Sequence, residues 1–140
     1  CGHQRTLVVG DLNMNPFEHG VVSSEGLHAV MTRRDAARGT RVVAGNTRHL
    51  FYNPMWAHFG ERPNGPPGTF YKPRSTPLSY FWNVFDQVLI RPSLLDAFSD
   101  ESLHILTTAG DAPLVRTSGR PDKAAASDHL PILFQIRLTL

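Results

Sequence analysis

The chain has 140 residues, 41% of them hydrophobic, with a formal net charge of +2 and a sequence pI near 9.0. A chain of this size and apolarity buries roughly two-thirds of its unfolded surface as one domain, so wholesale disorder is excluded. The small basic excess is compatible with an anionic substrate, but it is not the footprint of a dedicated nucleic-acid-binding module. The single cysteine, Cys1, excludes an intrachain disulfide and a cysteine-based zinc site. No run of about 18 apolar residues exists, so no transmembrane helix is expected. No signal peptide is visible, and a start at Cys1 rather than methionine suggests that the natural N-terminus lies elsewhere. A soluble, cytoplasmic location is the default expectation, although nothing in the sequence fixes the compartment.

Along the chain, Thr6 to Gly10 (TLVVG) predicts a fully buried strand. A loop with Pro16 follows, then a helical turn. Thr32 opens TRRDAARG with Asp35 three residues on, an approximate capping box, and Gly39 stops the helix. Arg41 to Ala44 and His49 to Tyr52 are weaker strand candidates. Glu61 to Pro77 is rich in proline and glycine and predicts a long loop, functional or mobile. Val84 to Ile90 (VFDQVLI) is the most strand-like segment. A short helix over Pro92 to Ala97, a strand near Leu103 to Thr107 and a polar loop over Gly110 to Ser127 follow. The end, LPILFQIRLTL, places Leu130, Ile132, Phe134, Ile136, Leu138 and Leu140 on one face at a period of two.

Three acids and a histidine stand where chemistry is plausible. Asp11 follows the first strand, and Asn13 would share its side if the chain stays extended. Ligands of open α/β sheets bind beyond strand ends, but Asp and Asn also serve there as plain turn caps. Asp86 interrupts an apolar strand. It needs a donor such as histidine, or an edge position facing solvent. Ser127-Asp128-His129 precedes the last strand. Its histidine can exchange protons or bind phosphate near neutral pH, and its carboxylate suits a hard cation. A turn would explain the same tripeptide. His3, His19, His28, His49, His58 and His104 show no zinc-ligand spacing. Phe70, Tyr71, Tyr80 and Trp82 flank the long loop and are either stacking surfaces for a substrate or core. The arginines Arg33, Arg34, Arg38 and Arg41 read as a solvated helix face.

Together, GDLNMNP at Gly10 to Pro16, WNVFDQVLI at Trp82 to Ile90 and SDHLPI at Ser127 to Ile132 resemble the endonuclease/exonuclease/phosphatase (deoxyribonuclease I-like) superfamily, in order and rough spacing. The resemblance runs from Thr6 to Leu138. It implies an α/β fold, half of a four-layer α/β sandwich with a mainly antiparallel sheet and flanking helices. It also implies hydrolysis of a phosphate ester by a Mg²⁺-activated water, with Mn²⁺ as a substitute. By that match, Asp11 positions or deprotonates the water and Asn13 donates to a phosphate oxygen. Asp128 joins the metal cluster, and His129 contacts the phosphate, oriented by Asp86. Trp82 is a weaker substrate-binding candidate. The substrate class stays open among nucleic acid, a phospholipid headgroup and an inositol phosphate.

The superfamily pattern also has an earlier half with a metal-binding glutamate. Here Glu18, Glu25, Glu61 and Glu101 all follow the first strand. Residues 1–140 therefore read as the C-terminal half of such a domain, with the N-terminal half as its missing partner and negligible activity alone. The alternative is a non-catalytic fragment or binding module. Without the N-terminal half, the even-numbered apolar face from Leu130 to Leu138 would be uncovered, which predicts self-association, aggregation or dependence on that half for stability.

Overall fold

The computed structural model describes residues 4–74 and 76–138. Its centre is a four-stranded sheet built from β1 (Leu7–Asp11), β2 (Ala29–Val30), β5 (Phe51–Tyr52) and β8 (Asp86–Ile90), in the order β1-β8-β5-β2. β8 runs antiparallel to both of its neighbours, and β2 runs parallel to β5. The alternation of side chains along β8 explains why the chain packs around it. Val88 and Ile90 enter the main core with Met55, Leu94, Phe98, Leu103 and Leu130. Leu89 points the other way, to a smaller cluster with Val21, Ala29 and Phe51. A strand covered on both faces reads as a near-continuous apolar run, and this one does.

β1 departs from expectation. It pairs with β8 along its whole length, Leu7 opposite Ile90 through Asp11 opposite Asp86, but it occupies the sheet edge. Val9 is 52% exposed, so the strand is half-buried rather than buried throughout. An apolar run at an edge and one at a sheet centre look alike in sequence.

The remaining strands form two-stranded pairs: β3 (Thr40–Val43) with β4 (Asn46–His49), β6 (Phe70–Tyr71) with β7 (Trp82–Asn83), β9 (His104–Ile105) with β12 (Ile132–Leu133), and β10 (Thr108–Ala109) with β11 (Ala112–Pro113). The long proline-rich loop therefore contains a strand, and the 110–127 loop begins in a hairpin. Helices are brief: α1 (His19–Val22), α2 (Arg33–Ala36) and 3₁₀ turns at Pro54–His58, Pro92–Leu94 and Asp100–Ser102. The long flanking helices of a layered sandwich are not found among the described residues. The chain is mixed α/β and dominated by strands. No described helix is long and apolar enough to cross a membrane.

The C-terminal segment corrects a second expectation. Its period-two burial is present, with Leu130 buried and Ile132, Phe134 and Ile136 packed against the main core. That face is covered from within the chain, because β12 folds onto β9 rather than extending as one long strand. Leu138 is 63% exposed, and Leu140 lies outside the described residues. The premise of a bare sheet face over Leu130 to Ile136 therefore fails.

The arginine stripe is also reassigned. α2 begins as its sequence predicts, with Thr32 Oγ1 accepting from Asp35 N at 3.1 Å, and Gly39 ends the turn at φ 78°. Arg33, however, is no solvated residue. Its guanidinium donates to Asp100 Oδ2 at 2.8 Å, to Leu95 O at 2.6 Å and to Phe98 O at 2.9 Å. It clamps α2 to the 95–100 segment with the five-donor fork that lysine lacks.

His58 is buried beside this core, and its Nδ1 has no hydrogen-bond partner. Burial pushes its pKa down to about 4, and the Arg62 guanidinium and His104 add to the effect. The unfolded chain, titrating near 6.5, then binds more protons than the folded one between pH 6.5 and pH 4, so stability falls as pH falls through that window. At roughly 1.4 kcal/mol per unit, up to about 3 kcal/mol is lost. Urea unfolding from pH 7 to pH 4 should show this decline, and His58→Asn should flatten it. An unchanged slope in the variant would assign the acid lability to other groups.

Candidate active site

The sheet end carrying Asp11 and Asp86 is where the three sequence motifs meet. Asp11 and Asp86 are directly opposite in the β1–β8 register. Side chains so placed lie on the same face, with Cβ atoms about 5 Å apart. Two carboxylates at that spacing repel unless cationic or donor groups lie between them. Both have such partners. Asp86 Oδ2 accepts from the His129 ring at Nδ1, 2.8 Å away. Asp11 accepts from Asn13 twice, Oδ1 from the backbone N–H at 2.8 Å and Oδ2 from Nδ2 at 3.2 Å. The expected Asp86–His129 hydrogen bond is thus present, with Asp86 opening β8 rather than interrupting it.

Asn13 reaches Asp11 by a different route from the one predicted. The chain does not stay extended. Asn13 adopts φ 50°, a left-handed conformation that asparagine tolerates better than most residues. Its side chain folds back on the Asp11 carboxylate, so the cap and the paired polar groups are one arrangement.

His129 is fixed from three sides. Its backbone bridges Phe70, its ring stacks on Phe70 at 4.6 Å, and its amide donates to Ser127 Oγ at 3.1 Å. Phe85 stacks on the far side of Phe70 at 5.4 Å. Asp128 is paired outside this dyad, although the neighbouring His129 ring also acts on its charge. Its carboxylate accepts from Lys123 Nζ at 2.9 Å, and that ammonium holds its pKa below the ordinary carboxylate value. Trp82 meets Tyr71 edge-on at 5.3 Å and leans on the main core, so packing engages its indole.

Among the described residues, no group of three or more His, Cys, Asp or Glu could hold a metal ion by itself. The donors at this sheet end are carboxylate and amide oxygens, the hard ligands Mg²⁺ prefers. Mg²⁺ commonly takes only one or two carboxylates, completed by waters and substrate oxygens.

The sequence reading missed the residues that hold the site in place. Thr69 is fully buried, and its Oγ1 accepts from two consecutive backbone amides, Phe85 N at 3.1 Å and Asp86 N at 3.2 Å. Its own N–H donates to Asn83 O, and its carbonyl accepts from Leu130 N, both at 2.8 Å. One threonine thus connects the start of β8 to the residue after His129. Gly68 makes this possible, since a Cβ there would meet Asn83 O at 2.5 Å. Asn15, also buried, accepts from Val84 N at 2.9 Å and donates to Asn83 Oδ1 at 3.0 Å, tying the Asp11–Pro16 loop to the same place. Gln87 accepts from Asn53 Nδ2 at 2.7 Å and donates to Val84 O at 3.0 Å. The available signals were the second asparagine of GDLNMNP, the glutamine beside Asp86 and the Gly-Thr pair within the loop.

Comparison of the chain with models of known protein families, with curated proteins and with solved structures finds no match.

Thr69→Val keeps the shape of the side chain but strands two amide donors, which should cost about 2 kcal/mol. Thr69→Ser should recover most of that in urea denaturation. A valine variant within about 0.5 kcal/mol of wild type would remove Thr69 from this role.

Proposed function

We propose that the chain carries the phosphate-contacting side of a Mg²⁺-dependent phosphate-ester hydrolase site, as the superfamily resemblance implies. The observation that carries this reading is the 2.8 Å Asp86–His129 hydrogen bond, set against Asp11 on the neighbouring strand. An oriented imidazole facing a carboxylate of separate function is the kind of constellation hydrolytic sites use. The finer fold reading, half of a four-layer sandwich, belongs to the same proposal. It is supported by the mainly antiparallel central sheet.

In this reading His129 acts as the imidazolium: its Nδ1–H is spent on Asp86, and its Nε2–H donates to a phosphoryl oxygen as charge builds there. The Asp11 carboxylate orients a water and takes its proton as the water oxygen bonds to phosphorus; the ester P–O bond breaks, and the leaving oxygen takes a proton from solvent. Asn13 exchanges its bond to Asp11 for one to a phosphate oxygen. Asp128 would hold Mg²⁺, or Mn²⁺ in its place, and a bound cation would neutralise the phosphoryl oxygens and acidify water. A non-catalytic binding module is the second reading. The Lys123–Asp128 ion pair favours it, because it occupies a carboxylate that the metal would need.

Titrating Mg²⁺ and phenyl phosphate into ¹⁵N-labelled protein should shift the amide signals of Asp11, Asn13, Asp128 and His129 together. The chain alone should turn over a generic phosphodiester negligibly; with the glutamate-bearing half supplied, Mg²⁺-dependent cleavage should fall by at least about 100-fold in His129→Ala and by less in Asp86→Asn. Turnover indifferent to both Mg²⁺ and His129 would refute the hydrolase reading. Coupled shifts without turnover even when the glutamate-bearing half is supplied would leave the binding module.

A further inference from the structure

The β3–β4 hairpin is a two-stranded unit of its own, apart from the sheet that carries the candidate site. Seven of its eight strand residues are exposed, and only Val43 is half-buried. Both turn residues between the strands have positive φ, 48° at Ala44 and 78° at Gly45, as a tight two-residue hairpin requires. The pair closing such a turn, Val43 opposite Asn46, is the hydrogen-bonded kind, and the two kinds alternate along the ladder. Val42 opposite Thr47 is therefore the other kind, so the Val42 N–H and C=O point outward from β3. That edge has no neighbouring strand among the described residues. The edge of β4 is closed at its end, where His28 Nδ1–H donates to His49 O at 3.2 Å. Arg41 and Arg48 are direct cross-strand partners and share a face, while Val42, 68% exposed, lies on the other. Neither guanidinium has a carboxylate partner among the described residues. One cation is enough to guard a strand edge. Two placed directly opposite repel and disfavour the hairpin unless an anion joins them. Arg91 adds a third positive charge nearby, although its own guanidinium is engaged, donating to Leu50 O at 3.0 Å and lying 3.7 Å over the Phe51 ring. Burial, and then the charges of Arg41, Arg48 and Arg91, lower the pKa of His28, and no acid offsets them.

We propose that the edge of β3 docks an extended acidic segment of a partner protein as a third strand, with its carboxylates on Arg41 and Arg48. Alternate residues of an extended chain face one side. Acids at every second position therefore meet the arginines, and small residues between them lie beside Val42. Arg41 stands on the docking strand itself, and the Arg48 side chain is long enough to cross the strand spacing of about 4.8 Å. A guanidinium fork matches a carboxylate in two parallel hydrogen bonds. Main-chain pairing supplies the affinity of such an added strand, and its alternate side chains supply the specificity. A nucleic acid or a bilayer would meet the charges but has no amide ladder for Val42, and the hairpin strands carry no Phe, Tyr or Trp on which a base would stack. The docking does not depend on the phosphate-ester reading.

Fluorescence anisotropy of a labelled peptide that alternates threonine and glutamate over about eight residues measures the docking. Arg41→Gln/Arg48→Gln should weaken it at least about tenfold. Lys72→Gln/Arg74→Gln removes the same charge outside the hairpin and should change it less than about twofold. Val42→Pro keeps both arginines but removes the outward N–H, a change that edge strands tolerate, and should also weaken binding at least about tenfold. If that variant fails to fold, the wild type supplies the same readout, because hydrogen exchange at the Val42 amide should slow at least about tenfold when peptide saturates the protein. A peptide with the same residues sorted into a threonine half and a glutamate half should bind at least about fivefold more weakly. Equal losses in the two charge variants would mean diffuse attraction and overturn the proposal. So would a lack of saturable binding at about 1 mM peptide, unchanged exchange at Val42, or tighter arginine-dependent binding of an oligothymidylate of equal charge at the same salt.

Discussion

The constraint on which this sheet end depends is the need to satisfy backbone amides where a strand begins inside a core. Phe85 N–H and Asp86 N–H emerge beside buried Val84. Without a partner, each would carry a desolvation cost of about 1–3 kcal/mol. Thr69 Oγ1 takes both. Because the same residue's carbonyl accepts from Leu130 N, the cure for an unsatisfied strand start also fixes the segment bearing His129. Asn15 does likewise for Val84 N and the Asp11 loop. Three pieces of chain far apart in sequence are held together by neutral groups, without calling on the charged residues beside them.

That division of labour suits an acid pair. Asp11 and Asp86 face each other across two strands, where like charges disfavour folding. What each carboxylate stabilises is not its neighbour across the strands but a segment outside the sheet: Asp86 the His129 ring, Asp11 the turn at Asn13. His129 approaches one and the Asn13 amide the other.

The sequence was most legible where one residue's local needs fix its structure. Thr32 and Gly39 mark the ends of a short helix through caps that act within a few residues. Asp86 in an apolar run demanded a donor, and His129 supplies it. The period-two pattern after Leu130 predicted which side chains turn inward, but not what they would meet. Lateral position was hidden. TLVVG has the same composition at a sheet edge as at its centre, and only the absent neighbour exposes Val9. Arg33 was hidden for the reverse reason. Its partners, two carbonyls and Asp100, lie more than sixty residues away. The supporting set of Thr69, Asn15 and Gln87 escaped because buried neutral polar residues carry no periodic signal. Their role appears only when the backbone groups they satisfy are known.

The Phe85–Phe70–His129 stack has a spectroscopic consequence. An aromatic face 4.6 Å from the imidazole places the ring protons of His129 in the shielding region of Phe70. Their resonances should therefore lie upfield of those of the exposed histidines, at frequencies set by ring geometry. Any opening between residues 70–73 and the 127–130 segment would move them toward ordinary values. The molecule thus carries an intrinsic proton reporter of whether its histidine is seated, readable without substrate, metal or label.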